Sequence, residues 1–300
     1  MKKAYYVLLL VTLFGLGACR KNNDSFIIPE GKGKFTFQDD NLNEGRSIDV
    51  FCYRPTKYSA YSPVLIVMHG NGRTAKTYRD AWVDIAEKHN ALLLVPHFSR
   101  ENGFPEDDQY NMGNMFKMDA DENLLAKNPE SEWSYSLINP IFDYTVKQMG
   151  NNSKKFLIFG HSAGSQFLHR LVFFKPDLKI KKAVYANAGW YTMPDFNSVF
   201  PYGLKETICT PENLSKAFQQ RVIVLLGDKD IDPNHKSLRR TPQAMEQGEY
   251  RFKRGHTFFE ACKKKAAELN VDFNWDIQIV PGVAHSNSKM APAAAEVLLN

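Results

Sequence analysis

Gly160-His161-Ser162-Ala163-Gly164 sets a serine between two glycines. The apolar run Phe156-Leu157-Ile158-Phe159 precedes it, and the helix-compatible Ser165-Gln166-Phe167 follows. The order is strand, sharp turn, helix. A turn that tight strains its central residue and leaves no space for side chains at the flanking positions, hence the two glycines. Ser162 Oγ would stand at the carboxyl edge of a sheet, with a helix N-terminus beneath it to favour developing negative charge. The chemistry open to such a serine is attack on a carbonyl. That needs a base for the hydroxyl proton, a carboxylate to orient the base, and N–H groups for the oxyanion.

Candidates for the acid follow the run Val222 to Leu226, in Gly227-Asp228-Lys229-Asp230-Ile231-Asp232-Pro233. Three aspartates compete there. The same segment could be read as a calcium loop, but it lacks the glycine and distal glutamate of an EF-hand. No metal site and no cofactor are expected.

These residues need a scaffold with strand ends on one edge. Val64-Leu65-Ile66-Val67-Met68 is a continuous apolar run, as expected of a strand buried on both faces. Leu92 to Val95, Phe156 to Phe159, Ala183 to Tyr185 and Val222 to Leu226 read the same way, and Trp275 to Val280 alternates more. Helical patterns fall between them, at Thr77–Glu87, Ser136–Met149, Ser162–Phe174, Thr257–Leu269 and Met290–Leu299. Strands alternating with helices give an α/β fold with a mostly parallel sheet. Phe35 to Phe37 and Ile48 to Tyr53, joined by a polar turn, suggest an antiparallel edge. Segments 97–135 and 192–255 break the rhythm and read as loop insertions over a site. Aromatic Trp190 and Tyr191, after the Ala183 strand, are expected to flank a substrate, with core packing as the other reading of Trp190. Arg239-Arg240 and Arg251-Phe252-Lys253-Arg254 read as solvated surface, or less readily as a seat for an anion.

The composition is that of a globular chain: 300 residues, 43% hydrophobic and 24% charged. Its 38 Lys+Arg stand against 33 Asp+Glu, an excess too small and too mixed for a nucleic-acid partner. Mean hydropathy of −0.40 argues against a polytopic membrane protein.

The motif, its flanking elements and the His69-Gly70 turn together resemble the α/β-hydrolases, most closely their secreted esterase and polyhydroxyalkanoate-depolymerase-like branch. The likeness runs from about Phe35 to Leu299. It implies a twisted, mostly parallel sheet with helices on both faces, and a triad in the order serine, acid, histidine. The family's G-x-x-D pattern selects Asp230 as the acid, with Asp232 the runner-up. The base must then follow. His235 is too near the acid in sequence, and His256 opens a helix. His285, in the loop after the last strand, is the expected base. The oxyanion donors implied are the N–H groups of Ala163 and Asn71, with Gly70 and Gly72 keeping the loop thin. His69 reads as a structural loop residue. The activity implied is hydrolysis of carboxylic esters, on acylated polysaccharide or short polyester. A peptidase or amidase with the same triad is the alternative, and a non-catalytic surface binding lipoprotein on this scaffold is a third.

Residues 1–18 carry Lys2 and Lys3 and then an apolar run too short to span a bilayer. They read as a signal peptide. Leu16-Gly17-Ala18-Cys19 resembles a bacterial lipobox, which makes Cys19 the expected lipidation site. Residues 19–34 would be a tether and 35–300 one hydrolase domain, anchored to a membrane by lipid in the cell envelope, periplasmic or at the cell surface. Three further cysteines remain, with Cys209–Cys262 the expected pair if a disulfide forms and three free buried thiols as the other reading.

Overall fold

A computed structural model describes residues 27–300; the expected leader and Cys19 lie outside the described residues. The strands are β1 (Gly31–Phe37), β2 (Ile48–Arg54), β3 (Val64–Met68), β4 (Leu92–His97), β5 (Phe116–Met118), β6 (Leu124–Lys127), β7 (Phe156–His161), β8 (Ile180–Ala186), β9 (Val222–Gly227) and β10 (Trp275–Val280). The helices are α1 (Ala75–Lys88), α2 (Ile138–Gln148), α3 (Ala163–Phe174), α4 (Pro211–Gln219), α5 (Pro242–Gln247), α6 (Arg251–Glu268) and α7 (Asn287–Leu299).

Eight strands form one sheet in the order β1-β2-β4-β3-β7-β8-β9-β10. β2 runs antiparallel to both β1 and β4, and the remaining pairs are parallel. All residues of β3, β7 and β9 are buried, as expected where helices cover both faces. One face packs on α1 and α7, where Trp82 lies against Phe159 at 4.9 Å between ring centres. The other carries α3, α4 and α6 and the larger core. This is the α/β-hydrolase architecture. Among the described residues, no helix is long and apolar enough to cross a membrane.

Several expectations shift. β1 begins at Gly31, and Ile28 is buried in the core, so ordered chain starts before residue 35. Segment 97–135 is packed structure: Phe98, Phe104, Tyr110, Phe116 and Trp133 are all buried. β5 and β6 pair within it as a small separate hairpin. Helix α6 begins at Arg251, six residues before the expected start, which puts His256 inside the helix. Cys209 and Cys262 do not pair; they and Cys52 are free and buried. Burial pushes the Cys209 thiol up to about 12, so it behaves as a small apolar side chain.

Three buried histidines are locked as neutral rings. His69 Nε2 accepts from Phe98 N at 3.2 Å while Nδ1 meets the Gly70 carbonyl at 3.0 Å. His169 Nε2 accepts from Thr192 N at 3.0 Å and Nδ1 meets the Ser165 carbonyl at 3.1 Å. His161 is 3% exposed. Burial holds His69 down to about 3, and His161 and His169 well below the usual histidine value. Unfolded imidazoles take up protons near pH 6.5, so below that pH the unfolded chain binds protons the native one refuses. Stability is therefore expected to be full above pH 7 and to fall by about 2 kcal/mol per buried histidine by pH 5. Urea midpoints at pH 7.5 and 5.0 measure this, and equal midpoints would contradict the neutral burial.

Candidate active site

The turn between β7 and α3 is fixed by contact with backbone on both sides. A Cβ on Gly160 would sit 2.3 Å from the Gly164 carbonyl oxygen, and one on Gly164 would sit 2.3 Å from the Met68 carbonyl oxygen. No L side chain fits at either position. Ser162, between them, adopts φ 59° and ψ −119°, a region costly for any residue with a Cβ. Its N–H donates to the Ala186 carbonyl at 3.0 Å, which ties the turn to the end of β8.

Three side chains from separate loops meet here. His285 Nε2 lies 3.0 Å from Ser162 Oγ, and its Nδ1 lies 2.7 Å from Asp230 Oδ2. Asp230 is buried on the turn after β9. Asp232 is exposed and accepts from Asn234 N at 2.8 Å within its own turn. Asp228 accepts from Gly282 N at 2.7 Å, so it pins the loop that carries His285. Lys229 N donates to the Val283 carbonyl at 2.9 Å. A Cβ on Gly227 would collide with that same carbonyl oxygen at 2.3 Å. The acid loop and the histidine loop are thus packed backbone to backbone.

Arg251 is the group that sequence reasoning misjudged. It is 2% exposed, not a solvated cation. Its Nη1 donates to Asp230 Oδ1 at 3.3 Å, the oxygen that His285 leaves free, and its Nη2 donates to Ser237 Oγ at 3.0 Å. Nη2 also lies 3.2 Å from Nδ1 of His235, whose ring centre is 5.7 Å from that of His285. Beside them the His161 ring centre lies 4.7 Å from that of His285, and His161 Nδ1 is 3.1 Å from the Tyr78 hydroxyl.

The turn after β3 supplies the opposite wall. Asn71 and Ala163 line the same cavity as Ser162, and neither backbone N–H has an acceptor among the described residues. The turn is closed by Arg73 N donating to the Gly70 carbonyl at 3.1 Å. The Arg73 guanidinium is buried 4.4 Å from the Tyr110 ring centre and donates to the Phe98 carbonyl at 2.7 Å. His69 is part of this support. Tyr110 donates its hydroxyl proton to the His69 carbonyl at 2.7 Å, so Tyr110 is part of the same support.

The cavity over Ser162 holds about 790 Å³. Its lining mixes Arg100, Lys236, Arg239 and Arg251 with Glu106, Asp107, Asp108, Asp119 and Glu122. Arg100 pairs with Asp107 at 2.7 Å and Arg239 with Glu122. Burial raises the Asp108 carboxyl above the usual range, and Glu106 and Asp107 push the same way. Trp190 lines the cavity, with the guanidinium carbons of Arg170 and Arg239 at 4.2 and 4.6 Å from its ring centre. Tyr191 does not reach it. That ring is fully buried and stacked on Phe258 at 4.2 Å. A neighbouring cavity of about 1010 Å³ shares Glu122 but holds none of Ser162, Asp230 and His285.

The chain is similar over its folded length to two solved hydrolases. Poly(aspartic acid) hydrolase-1 from Sphingomonas sp. KT-1 is 38% identical, with a TM-score of 0.85 over 91% of this chain and 100% of that one. LpqC, a poly(3-hydroxybutyrate) depolymerase from Bordetella parapertussis, is 32% identical, with a TM-score of 0.83 over 90% of this chain and 89% of that one. FphF, a fluorophosphonate-binding serine hydrolase from Staphylococcus aureus, shares the fold at 16% identity and a TM-score of 0.55, over 90% of this chain and 99% of that one. No family model matches the chain, and neither does any curated protein. With two relatives above 30% identity along nearly the whole chain, and a serine on a glycine-framed turn facing a histidine and a buried aspartate, this protein belongs to the α/β-hydrolase superfamily of serine hydrolases.

Proposed function

We propose that this hydrolase cleaves carboxylic esters through an acyl-enzyme, and that its substrates are short polyesters or acylated polysaccharide. Ser162 is the nucleophile, His285 takes its proton and returns one to the leaving alcohol, and Asp230 holds the imidazole and stabilises its cation. Ala163 N–H and Asn71 N–H receive the oxyanion. The observation that carries the reading is the Ser162–His285–Asp230 chain, at 3.0 and 2.7 Å, with two free N–H groups beside it.

Hydrolysis of an anionic polyamide is the second reading, favoured by the 38% identity to the poly(aspartic acid) hydrolase. The charges in the cavity weigh against it. Arg100, Arg239 and Arg251 are each already paired with a carboxylate, and Lys236 is exposed at the rim. A polyanion would have to displace those carboxylates, whereas a neutral ester chain meets no uncompensated charge of its own.

Fluorophosphonate labelling tests the nucleophile. The full chain should label at Ser162, and Ser162→Ala should lose labelling and at least about 1,000-fold in p-nitrophenyl acetate turnover. Equal turnover by Ser162→Ala would remove Ser162 from the mechanism. We also propose that Cys19 carries lipid and holds the enzyme in the cell envelope. Expressed in a bacterium, the full chain should fractionate with membranes and Cys19→Ser with the soluble fraction; identical fractionation would sink the anchor.

A further inference from the structure

Gln166 lies one helical turn beyond Ser162, on the same face of α3, since residues four apart stack along a helix. Its backbone N–H donates to the Ser162 carbonyl at 3.0 Å. Its side chain is 6% exposed and lines the cavity over Ser162. One end of its amide is engaged, since Oε1 accepts from Asn111 Nδ2 at 2.8 Å. Asn111 is itself fixed: its carbonyl accepts from the fully buried Arg170 Nη1 at 3.0 Å. That leaves Gln166 Nε2 with two N–H donors and no acceptor among the described residues. It sits against Gly189, where a Cβ would lie only 2.7 Å from it. Behind it, Asn111 Oδ1 and Arg170 Nη2 are buried without partners among the described residues.

A donor left open on the cavity wall, four residues from the nucleophile, is available to a ligand oxygen that meets it. Which part of the substrate it meets follows from the proton path. The leaving alcohol must lie by His285 Nε2, which protonates it. Gln166 is tied to Ser162 by its backbone bond, and the acyl group is the part of the substrate that becomes bonded to Ser162, so the Gln166 amide is set beside the acyl part.

We propose that Gln166 Nε2 is a specificity donor that hydrogen-bonds an oxygen on the acyl chain, a few atoms from the scissile carbonyl. Acyl groups bearing a hydroxyl or a second carbonyl are then preferred over plain alkyl acyl groups. An oligomeric ester presents such an oxygen in every repeat. The proposal rests on acyl transfer at Ser162.

The test compares p-nitrophenyl 3-hydroxybutyrate with p-nitrophenyl butyrate, two esters that differ by one hydroxyl. The full chain should favour the hydroxy ester in kcat/KM by about 10-fold or more. Gln166→Leu should bring that ratio close to one. Gly189→Ala, which displaces the amide without removing it, should reduce the ratio too, and it serves if Gln166→Leu does not fold. A ratio near one in the full chain, or a ratio unmoved in the variants, overturns the proposal while fluorophosphonate labelling of Ser162 keeps the acyl-transfer reading. Loss of labelling in the full chain overturns both.

Discussion

Everything in the site is referred to a crossing of backbones that has no room for a Cβ. The β7–α3 turn can approach β3 only because Gly160 and Gly164 are bare, and that approach forces Ser162 to φ 59°. Such a conformation costs about 1–3 kcal/mol and persists where surrounding structure over-determines it. Here the surroundings are β7 and α3, all of whose residues are buried. The strain has several results at once. It lifts Oγ out of the sheet edge, aims the first N–H groups of α3 at the same space, and sets Gln166 one turn above the serine.

The histidine and the acid are held by a second set of contacts, independent of the first. The loop after β10 is clamped on the turn after β9 through Asp228, Lys229 and the bare Gly227. The acid is then divided between two partners, one oxygen for His285 and one for Arg251. Asp230 and Arg251 side chains are 4% and 2% exposed, and removing one member of a buried ion pair costs about 3–5 kcal/mol because the other is left unpaired. The first turn of α6 is therefore part of the support for the histidine, although it lies between the acid and the base in sequence.

Much of this was legible because the physics leaves a mark on residue type. Strands buried on both faces must be continuous apolar runs, and Val64–Met68 and Val222–Leu226 are. A nucleophile on a tight turn needs glycines, and they are there. What was not legible has no such mark. Arg251 and Arg254 look like solvated cations, and only the fold reveals that they are buried. Tyr191 and Trp190 are adjacent aromatics, yet one fills the core and one lines the cavity. The β5–β6 hairpin is short and half polar, so its pairing carries no periodic signal. Helix α4 did carry a signal that went unread: Thr210 caps it through Asn213, with Pro211 at its first turn. Gln166 and Asn111 are neutral amides, and their importance arises from what they fail to bond.

The wall behind Trp190 is organised by a cation and not by apolar packing. Arg170 is fully buried, and burial lowers its guanidinium to about 10, which still leaves it charged at neutral pH. Among the described residues it has no carboxylate partner. Its Nε donates to Thr192 Oγ1 at 2.7 Å, and Nη1 donates to the carbonyls of Asn111 and Gln166 at 3.0 and 3.1 Å. The Trp190 face adds a cation–π contact. These partners come from three stretches of chain: the 97–135 insertion, α3, and the loop after β8. A planar fork with fixed donors can join three backbones in one geometry; a lysine's single flexible ammonium cannot. The charge is thus tolerated because it fixes the relative position of α3 and the insertion, and with it the place of the Asn111–Gln166 amide pair beside Ser162.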